Sequence, residues 1–201
     1  MKVTKNLYLK SGTVIEGAKI NQAQKLIKLY QNETNNKILD FLRQREKAKV
    51  TDIWIHLRTE QSFVSQHLKT LLKAKLIGFT KFGKEHLYSV NSNTVTEIEG
   101  LLYNLGGEHS GEVFRALTHD LRLSMMQFME DKQDRTVSQL HKALDIGQSV
   151  CSANLKILRE ANLVIDEHRG RKVIYSVNHE YLNRVNNAVK AYFYQNQAVK
   201  I

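Results

Sequence analysis

The chain repeats one segment at a fixed offset, and this repeat constrains the fold more than any other feature. Residues 60–77 read EQSFVSQHLKTLLKAKLI, and the segment that begins 87 positions later reads GQSVCSANLKILREANLV. The comparison needs no gap from residue 26 to 91, and 13 of the 31 pairs between residues 61 and 91 are identical. Two copies are too few for a solenoid, which needs about three repeats to bury its core. The repeat therefore predicts two tandem copies of one small domain, joined near the glycines of 105–111.

Each copy begins with two predicted helices. The closely spaced apolar residues of 38–43 and 123–129 indicate the first helix. Thr51 and Ser138 are the expected N-caps of a short second helix, because a hydroxyl oxygen there can accept a hydrogen bond from the first turn. The same order of elements is thus expected twice.

A third helix and a hairpin complete each copy. The third helix carries an apolar face at 3.6-residue spacing, formed by Val64, Leu68, Leu71 and Leu72 in one copy and by Cys151, Leu155 and Leu158 in the other. Two strand-like segments then meet at Phe82-Gly83-Lys84, or at Arg169-Gly170-Arg171, and the glycine indicates a tight hairpin. This order of elements predicts a winged helix-turn-helix.

The turn before the third helix differs between the copies. Gly147 stands there in the second copy, where a positive φ is often needed. The first copy has Glu60, which would cost about 1 kcal/mol if the same φ were kept.

The charge favours a polyanionic partner. The 201 residues include 30 Lys and Arg against 20 Asp and Glu, a net charge of +10, which is typical of nucleic-acid-binding domains. Residues 1–105 carry 17 basic and 9 acidic residues (+8), whereas residues 106–201 carry 13 and 11 (+2). The first copy is therefore expected to supply more of the sequence-independent attraction to DNA.

Three segments carry a family resemblance: ALTHDLRLSMMQFM, TVSQLHKALDIGQSVCSANLKILREANLV and HRGRKVIYSVN. Over roughly 112–178 the chain resembles the ArsR family of bacterial winged-helix repressors, and residues 50–91 resemble it more loosely. The resemblance implies a transcriptional regulator that dimerises through helices flanking the winged helix. Asp120 stands where the family often has proline, and the chain contains no proline.

The third helix and the wing are the candidate DNA-binding elements. A recognition helix must present polar side chains to base edges and phosphates, and a wing can contact phosphates or the minor groove. The alternative is an ordinary solvated face and a charged hairpin. The candidate DNA-binding residues are Gln61, Ser62, Ser65, Gln66, Lys69, Lys81 and Lys84 in the first copy, and Gln148, Ser149, Ser152, Lys156, Arg169, Arg171 and Lys172 in the second.

No metal, cofactor or catalytic site is expected. The family commonly senses metals through a cysteine pair on the first helix of the motif, but this chain reads VTDI (50–53) and VSQL (137–140) there and has no cysteine at that place. A second family site uses His and carboxylate ligands on the last helix, where this chain offers only His179 and Glu180. Cys151 aligns with Val64 and is expected to be a small buried residue. No phosphate loop, nucleophile elbow or paired catalytic carboxylates stand out, so an enzyme is not expected. Tyr88, Tyr175 and Trp54 are expected to pack and not to stack on bases.

Helices outside the two motifs carry apolar stripes. Residues 23–30, 95–105 and 180–194 are expected to pair with other helices, either within one chain as an intramolecular pseudo-dimer or between two chains as a homodimer. The alternative is packing on their own domain. The expected domains are 1–105, with a winged-helix core at 34–91, and 106–201, with a core at 112–178.

Together these features predict a mainly α fold with small β-hairpin wings: two tandem winged helix-turn-helix domains with flanking helices. No signal peptide or membrane span is evident, which favours a cytoplasmic protein. The sequence predicts a transcriptional regulator, specifically a repressor, that binds double-stranded DNA at specific sequences. The alternative is a protein-interaction scaffold built from degenerate winged helices that bind no DNA.

Overall fold

A computed structural model describes residues 5–107, 110–131 and 135–197. The chain forms two compact units. The first unit is Lys25–Gly100, and the second combines the chain before Lys25 with the chain after Gly100. These units differ from the predicted ranges 1–105 and 106–201, because the N-terminal segment packs in the second unit.

The elements follow one another as two winged helices with flanking helices. The helices are α1 (Gly17–Tyr30), α2 (Glu33–Arg45), α3 (Val50–Leu57), α4 (Gln61–Lys73), α5 (Ser92–Asn104), α6 (Ser110–Leu117), α7 (Asp120–Asp131), α8 (Val137–Ala143), α9 (Gln148–Glu160) and α10 (His179–Gln197). The strands are β1 (Leu7–Tyr8), β2 (Val14–Ile15), β3 (Ile77–Phe82), β4 (Glu85–Val90), β5 (Val164–Arg169) and β6 (Lys172–Val177). Adding 87 to the bounds of α4, β3 and β4 gives those of α9, β5 and β6. The predicted fold class is confirmed.

Helices α4 and α9 bury most of the apolar face that their spacing predicts, although Leu72 is only half-buried. Val64, Leu68 and Leu71 of α4 are buried with Ile38 and Leu42 of α2 in the first unit. Cys151, Leu155 and Leu158 of α9 are buried in the second unit. Burying an aliphatic side chain of this size contributes about 1.5–3 kcal/mol, so these residues fix the inward face of each helix.

Each wing is wider than a simple hairpin. The antiparallel pairs β3–β4 and β5–β6 are extended by isolated bridges, Ala48 with Tyr88 and Arg135 with Tyr175. In the first unit the bridge consists of reciprocal backbone hydrogen bonds of 3.0 and 2.8 Å. The residue two positions before each short second helix is thereby hydrogen-bonded to the wing. Both tyrosines are half-buried, as is Trp54, and burial raises the pKa of Tyr88 and of Tyr175.

The caps of the short second helices differ from the prediction. Thr51 and Ser138 lie inside the first turn, because α3 and α8 begin at Val50 and Val137. The N-cap of α8 is Thr136, whose hydroxyl accepts from the Gln139 N–H at 3.3 Å, while the Gln139 side chain accepts from the Thr136 N–H at 2.9 Å. This is a capping box, which satisfies two otherwise unpaired donors.

The expected positive φ at Gly147 is also wrong. Gly147 has φ −62° and Glu60 has φ −83°, so neither residue is strained. The left-handed residues lie two positions earlier, at Arg58 (φ 51°) and Asp145 (φ 50°), where the preceding helix ends. The chain reverses there because a left-handed residue commonly closes a helix C-terminus.

A short N-terminal hairpin packs on α7 in the second unit. Leu7, Leu9 and Ile15 are buried. The Gln127 side chain accepts from the Tyr8 N–H at 3.2 Å and donates to the Tyr8 carbonyl at 3.3 Å. The buried Glu130 carboxylate accepts from the Lys10 N–H at 3.0 Å. These contacts explain why the N-terminal segment groups with the second winged helix.

The flanking stripes are covered within a single chain. On α10, the buried residues are Tyr181, Leu182, Val185, Val189 and Tyr192. The Tyr181 hydroxyl donates to the Leu105 carbonyl at 3.1 Å, and the Lys19 ammonium lies 5.3 Å from the Tyr194 ring centroid. The end of α5 and the start of α1 therefore both contact α10 within the second unit. Across the described ranges, no helix is both long and apolar enough to span a lipid bilayer.

Candidate nucleic-acid interface

Both recognition helices expose the polar residues that the sequence singled out. The exposed set on α4 is Gln61, Ser62, Ser65, Gln66 and Lys69, and on α9 it is Gln148, Ser149, Ser152 and Lys156. Because the opposite face of each helix is buried, these side chains project from the surface of their unit. Serine and glutamine on such a face can donate to and accept from base edges, and lysine suits phosphates.

The basic wing residues are exposed as well. Lys81 and Lys84 lie at the tip of the first wing, and Arg169, Arg171 and Lys172 lie at the tip of the second. Gly83 and Gly170 have φ of 61° and 62°, a conformation that glycine adopts without strain at the start of a two-residue turn. The tight turns hold the basic side chains at the ends of rigid hairpins.

The two interfaces differ in how much of their charge is already paired. In the second unit, Lys156 lies 3.7 Å from Glu160, Arg159 lies 3.4 Å from Asp166, and Arg169 lies 2.8 Å from Glu167. Within the described ranges, no carboxylate lies within ion-pair distance of Lys69, Lys73, Lys75, Lys81 or Lys84 in the first unit. The helix and wing of the first unit thus offer more uncompensated positive charge than those of the second.

One acidic residue stands at the front of the first recognition helix. Glu60 is exposed, and its carboxylate accepts a 3.3 Å hydrogen bond from the Ser62 hydroxyl. The corresponding residue in the second unit, Gly147, has no side chain. A phosphate approaching α4 would meet this negative charge, whereas one approaching α9 would not.

Sequence reasoning missed an apolar residue on each recognition helix. Phe63 is 42% exposed and Val150 is 46% exposed, and they are equivalent positions of the repeat. The Phe63 ring lies 4.6 Å from the His67 ring. Apolar side chains at such places can contact the methyl group of thymine. The signal was available, since positions 63 and 150 fall outside the apolar stripe that packs inward.

Sequence reasoning also missed two lysines beside α4. A groove of about 510 Å³ in the first unit is lined by residues of α1 and α4, among them Lys25, Lys28, Gln66 and Thr70. Both lysines are exposed. They were counted only as part of a flanking helix, although their spacing of three residues places them on one face.

The residues weighed for metal or redox chemistry have structural contacts. His179 Nε2 lies 3.1 Å from the buried Glu130 carboxylate, which also accepts from the N-terminal segment. Cys151 is fully buried, and burial raises the pKa of its thiol, which disfavours the reactive thiolate. In the part of the chain that the structure describes, no three His, Cys, Asp or Glu side chains converge on a metal-sized site.

Comparisons with known proteins agree with this architecture. The family model "Bacterial regulatory protein, arsR family" matches residues 32–77 and 119–166, once in each winged helix. The arsenical resistance operon repressor of Bacillus subtilis is 34% identical over 70 residues, which cover 35% of this chain and 67% of that protein. The HTH-type transcriptional repressor SmtB of Mycobacterium tuberculosis is 34% identical over 76 residues, 38% of this chain and 56% of that protein. The chain thus spans about half the length of SmtB.

Among solved structures, a homodimeric winged helix-turn-helix DNA-binding domain from Mycobacterium bovis is 24% identical. The match covers 42% of this chain and 77% of that one, with a TM-score of 0.37. The family model and the Bacillus subtilis relative identify the group by sequence. The chain belongs to the ArsR family of bacterial regulatory proteins, and it carries the family's helix-turn-helix region twice.

Proposed function

We propose that the chain is a transcriptional repressor that binds double-stranded DNA through α4, α9 and the two wings. The observation that carries this proposal is the exposure of the polar and basic residues on two equivalent helix-and-wing faces. An α-helix fits the major groove, and a basic hairpin beside it can hold the neighbouring phosphates. The role as a repressor is supported by the two relatives described above, both of which are named as repressors.

The contacts divide into two kinds. Glutamine and serine at 61, 62, 65, 66, 148, 149 and 152 would read base edges, as would the apolar Phe63 and Val150. The lysines and arginines would bind phosphates, which positions the helices but carries no sequence information. Lys25 and Lys28 would extend the phosphate contacts of the first unit beyond its wing.

We further infer that one chain supplies both recognition helices of a binding event. A homodimer of single winged helices must pair its flanking helices between chains. Here the apolar residues of α10 are buried inside one chain, and they are covered in part by the ends of α1 and α5 in the second unit. A second copy is therefore not needed to cover this stripe.

A mobility-shift experiment with duplex DNA at two salt concentrations tests the proposal. The parent chain should bind, and the affinity should fall steeply with salt because bound phosphates release counterions. Lys69→Ala with Lys156→Ala should weaken binding to all sequences and flatten the salt slope by roughly one unit per lost phosphate contact. Lys69→Ala should have the larger effect, because Lys156 already lies near Glu160.

Lys37→Ala is the control for each single lysine change, because it also removes one positive charge. This lysine is exposed on α2 and paired with Glu33 at 2.7 Å, and it belongs to neither recognition helix and to neither wing. Its removal should leave the salt slope unchanged. If the control and the double variant behave alike, α4 and α9 are not the DNA-binding helices.

A protein-interaction scaffold is the second candidate, and the first wing favours it. Phe79 is 43% exposed and Phe82 is 68% exposed, where the second wing has Asp166 and Arg169. Exposed aromatic residues are common at protein interfaces. A parent chain that shifts no duplex DNA even at low salt would support the scaffold and contradict the repressor.

A further inference from the structure

A chain of polar contacts fastens the recognition helix of the first unit to the helix before the motif. Asn35 of α2 is only 3% exposed. Its side-chain amide donates to the Leu29 carbonyl in the last turn of α1 at 2.8 Å. Its side-chain oxygen lies 2.7 Å from His67 Nδ1 on α4. Because that oxygen can only accept, His67 Nδ1 carries the proton and donates.

The second unit has the same chain of contacts at positions shifted by 87 residues. Arg122 of α7 is only 6% exposed. Its Nε donates to the Ala116 carbonyl in the last turn of α6 at 3.2 Å, and Nη2 donates to the Arg115 carbonyl at 2.7 Å. Its Nη1 donates to the Asn154 side-chain oxygen on α9 at 3.1 Å.

We name this arrangement the polar clasp: Leu29, Asn35 and His67 in the first unit, and Ala116, Arg122 and Asn154 in the second. All three positions correspond at the 87-residue offset, yet both side chains differ between the units. The hydrogen bond to the recognition helix is also reversed, since that helix donates in the first unit and accepts in the second. The arrangement of contacts is therefore common to the two units, while the residues that make it are not.

Burying an amide or a guanidinium is costly unless its hydrogen bonds are satisfied, and both clasps satisfy them in a directional way. The side chains of Asn35 and Arg122 also donate to backbone carbonyls in the last turn of a helix. Carbonyls at that place have no hydrogen-bond partner inside their own helix. A directional link of this kind fixes the orientation of the recognition helix more narrowly than apolar contacts do.

We propose that the clasp residues are positioning residues for DNA recognition: they hold each recognition helix in register with the end of its flanking helix. This role rests on the DNA binding proposed above. Because the link reaches the flanking helix, a displacement of that helix changes the orientation of the recognition helix and with it the affinity for DNA. None of the clasp side chains needs to touch DNA for this effect.

The test is a set of clasp variants in the full chain, measured by DNA affinity, thermal unfolding and amide hydrogen exchange of α4. His67→Ala and Asn35→Ala should each lower DNA affinity by about tenfold, the usual scale for one hydrogen bond. The double variant Asn35→Ala with His67→Ala should lose no more than the larger single loss, because both remove the same link. Exchange should rise in α4 in each case.

Rescue separates positioning from a general loss of stability. Asn35→Arg with His67→Asn transplants the clasp of the second unit into the first, and it should restore affinity to within about threefold of the parent. Asn36→Ala is the matched control, because it is the same substitution at the next position of α2 and Asn36 is not a clasp residue. It should change neither affinity nor exchange.

Three outcomes would overturn the clasp. The losses could match that of Asn36→Ala, the single losses could add in the double variant, or the transplanted pair could restore thermal stability without restoring affinity. A parent chain that binds no DNA would instead contradict the proposed function, and the clasp would then stand or fall on the exchange of α4. Unchanged exchange in His67→Ala and Asn35→Ala would reject it in that case.

Discussion

His67 is the side chain in which burial has the clearest consequence for pH. Desolvation lowers its pKa from the ordinary value of 6.5, so the folded chain disfavours the charged imidazolium. Lys25 and Lys28 line the same groove, and a proton on His67 would add to their positive charge. The unfolded chain takes up this proton more readily than the folded chain does.

The stability that neutral His67 contributes should therefore be present above pH 6.5 and be lost as the pH falls through the lowered pKa. We expect the free energy of unfolding of the parent to fall more between pH 7.5 and 5 than that of His67→Asn. Denaturant titrations of both chains at these two pH values measure the difference. An identical pH dependence in parent and variant would show that His67 titrates alike in the folded and unfolded states.

The two recognition helices share most of their exposed residues but not all. Gln61, Ser62, Ser65 and Lys69 recur on α9, whereas Gln66 is replaced by Ala153. Glutamine can bind adenine through two hydrogen bonds, and alanine can only contact a thymine methyl group. The preferred DNA site should therefore be an imperfect palindrome, with one half read differently at one or two base pairs.

Gln66→Ala tests this difference. Selection of binding sites from random DNA should show that the variant loses preference in one half-site only, at a base pair worth about 1–3 kcal/mol. Lys37→Ala, on α2, should leave the preference in both halves unchanged. A symmetric site whose sequence preference does not respond to Gln66→Ala would rule out separate reading by the two helices.

For the chain as a whole, burial of the α10 stripe predicts a monomer. Light scattering of the purified protein at micromolar concentration should give a mass near 23.2 kDa, that of one chain. The physical reason is that a dimer interface needs about 800 Å² of surface from each partner, and the apolar stripe of α10 that would contribute to it is already buried. A concentration-independent mass of two chains would contradict the single-chain proposal, although it would leave DNA binding intact.

Regulation by a metal ion is not expected to operate through the described residues. His179 contacts Glu130, Cys151 is buried, and the residues that the structure describes contain no group of three His, Cys, Asp or Glu side chains that could hold a metal ion. Adding zinc or a chelator should leave the DNA affinity unchanged, because a transition-metal site needs about four convergent ligands. Titration of the protein–DNA complex with each reagent measures this. A tenfold change with zinc would show a site that we did not identify.

Local patterns were enough to predict the winged helices and the exposed candidate residues. The apolar face of α4 follows from side chains that recur every 3.6 residues, and the glycine at each wing tip follows from the turn it must form. The N-caps of the short helices were harder to predict from the sequence. Thr136 and Lys49 precede valines that the spacing did not assign to a helix, so the predicted starts at Thr51 and Ser138 fell too late. The left-handed residue Arg58 carries no sequence signal, and Asp145 carries only the weak preference of aspartate for this conformation.

The 87-residue repeat by itself specified two copies of one fold, since each helix, turn and hairpin is encoded by residues adjacent in sequence. Only the tertiary structure decided which other elements, such as the N-terminal hairpin, pack on each copy. Gln127 binds Tyr8 across 119 positions and Glu130 binds Lys10 across 120, and no local pattern encodes such pairs. The clasp was hidden for a related reason. The pairs Asn35–His67 and Arg122–Asn154 share only their separation of 32 residues in the sequence. Which side chains meet at that separation is decided by the packing of the helices and not by residue identity.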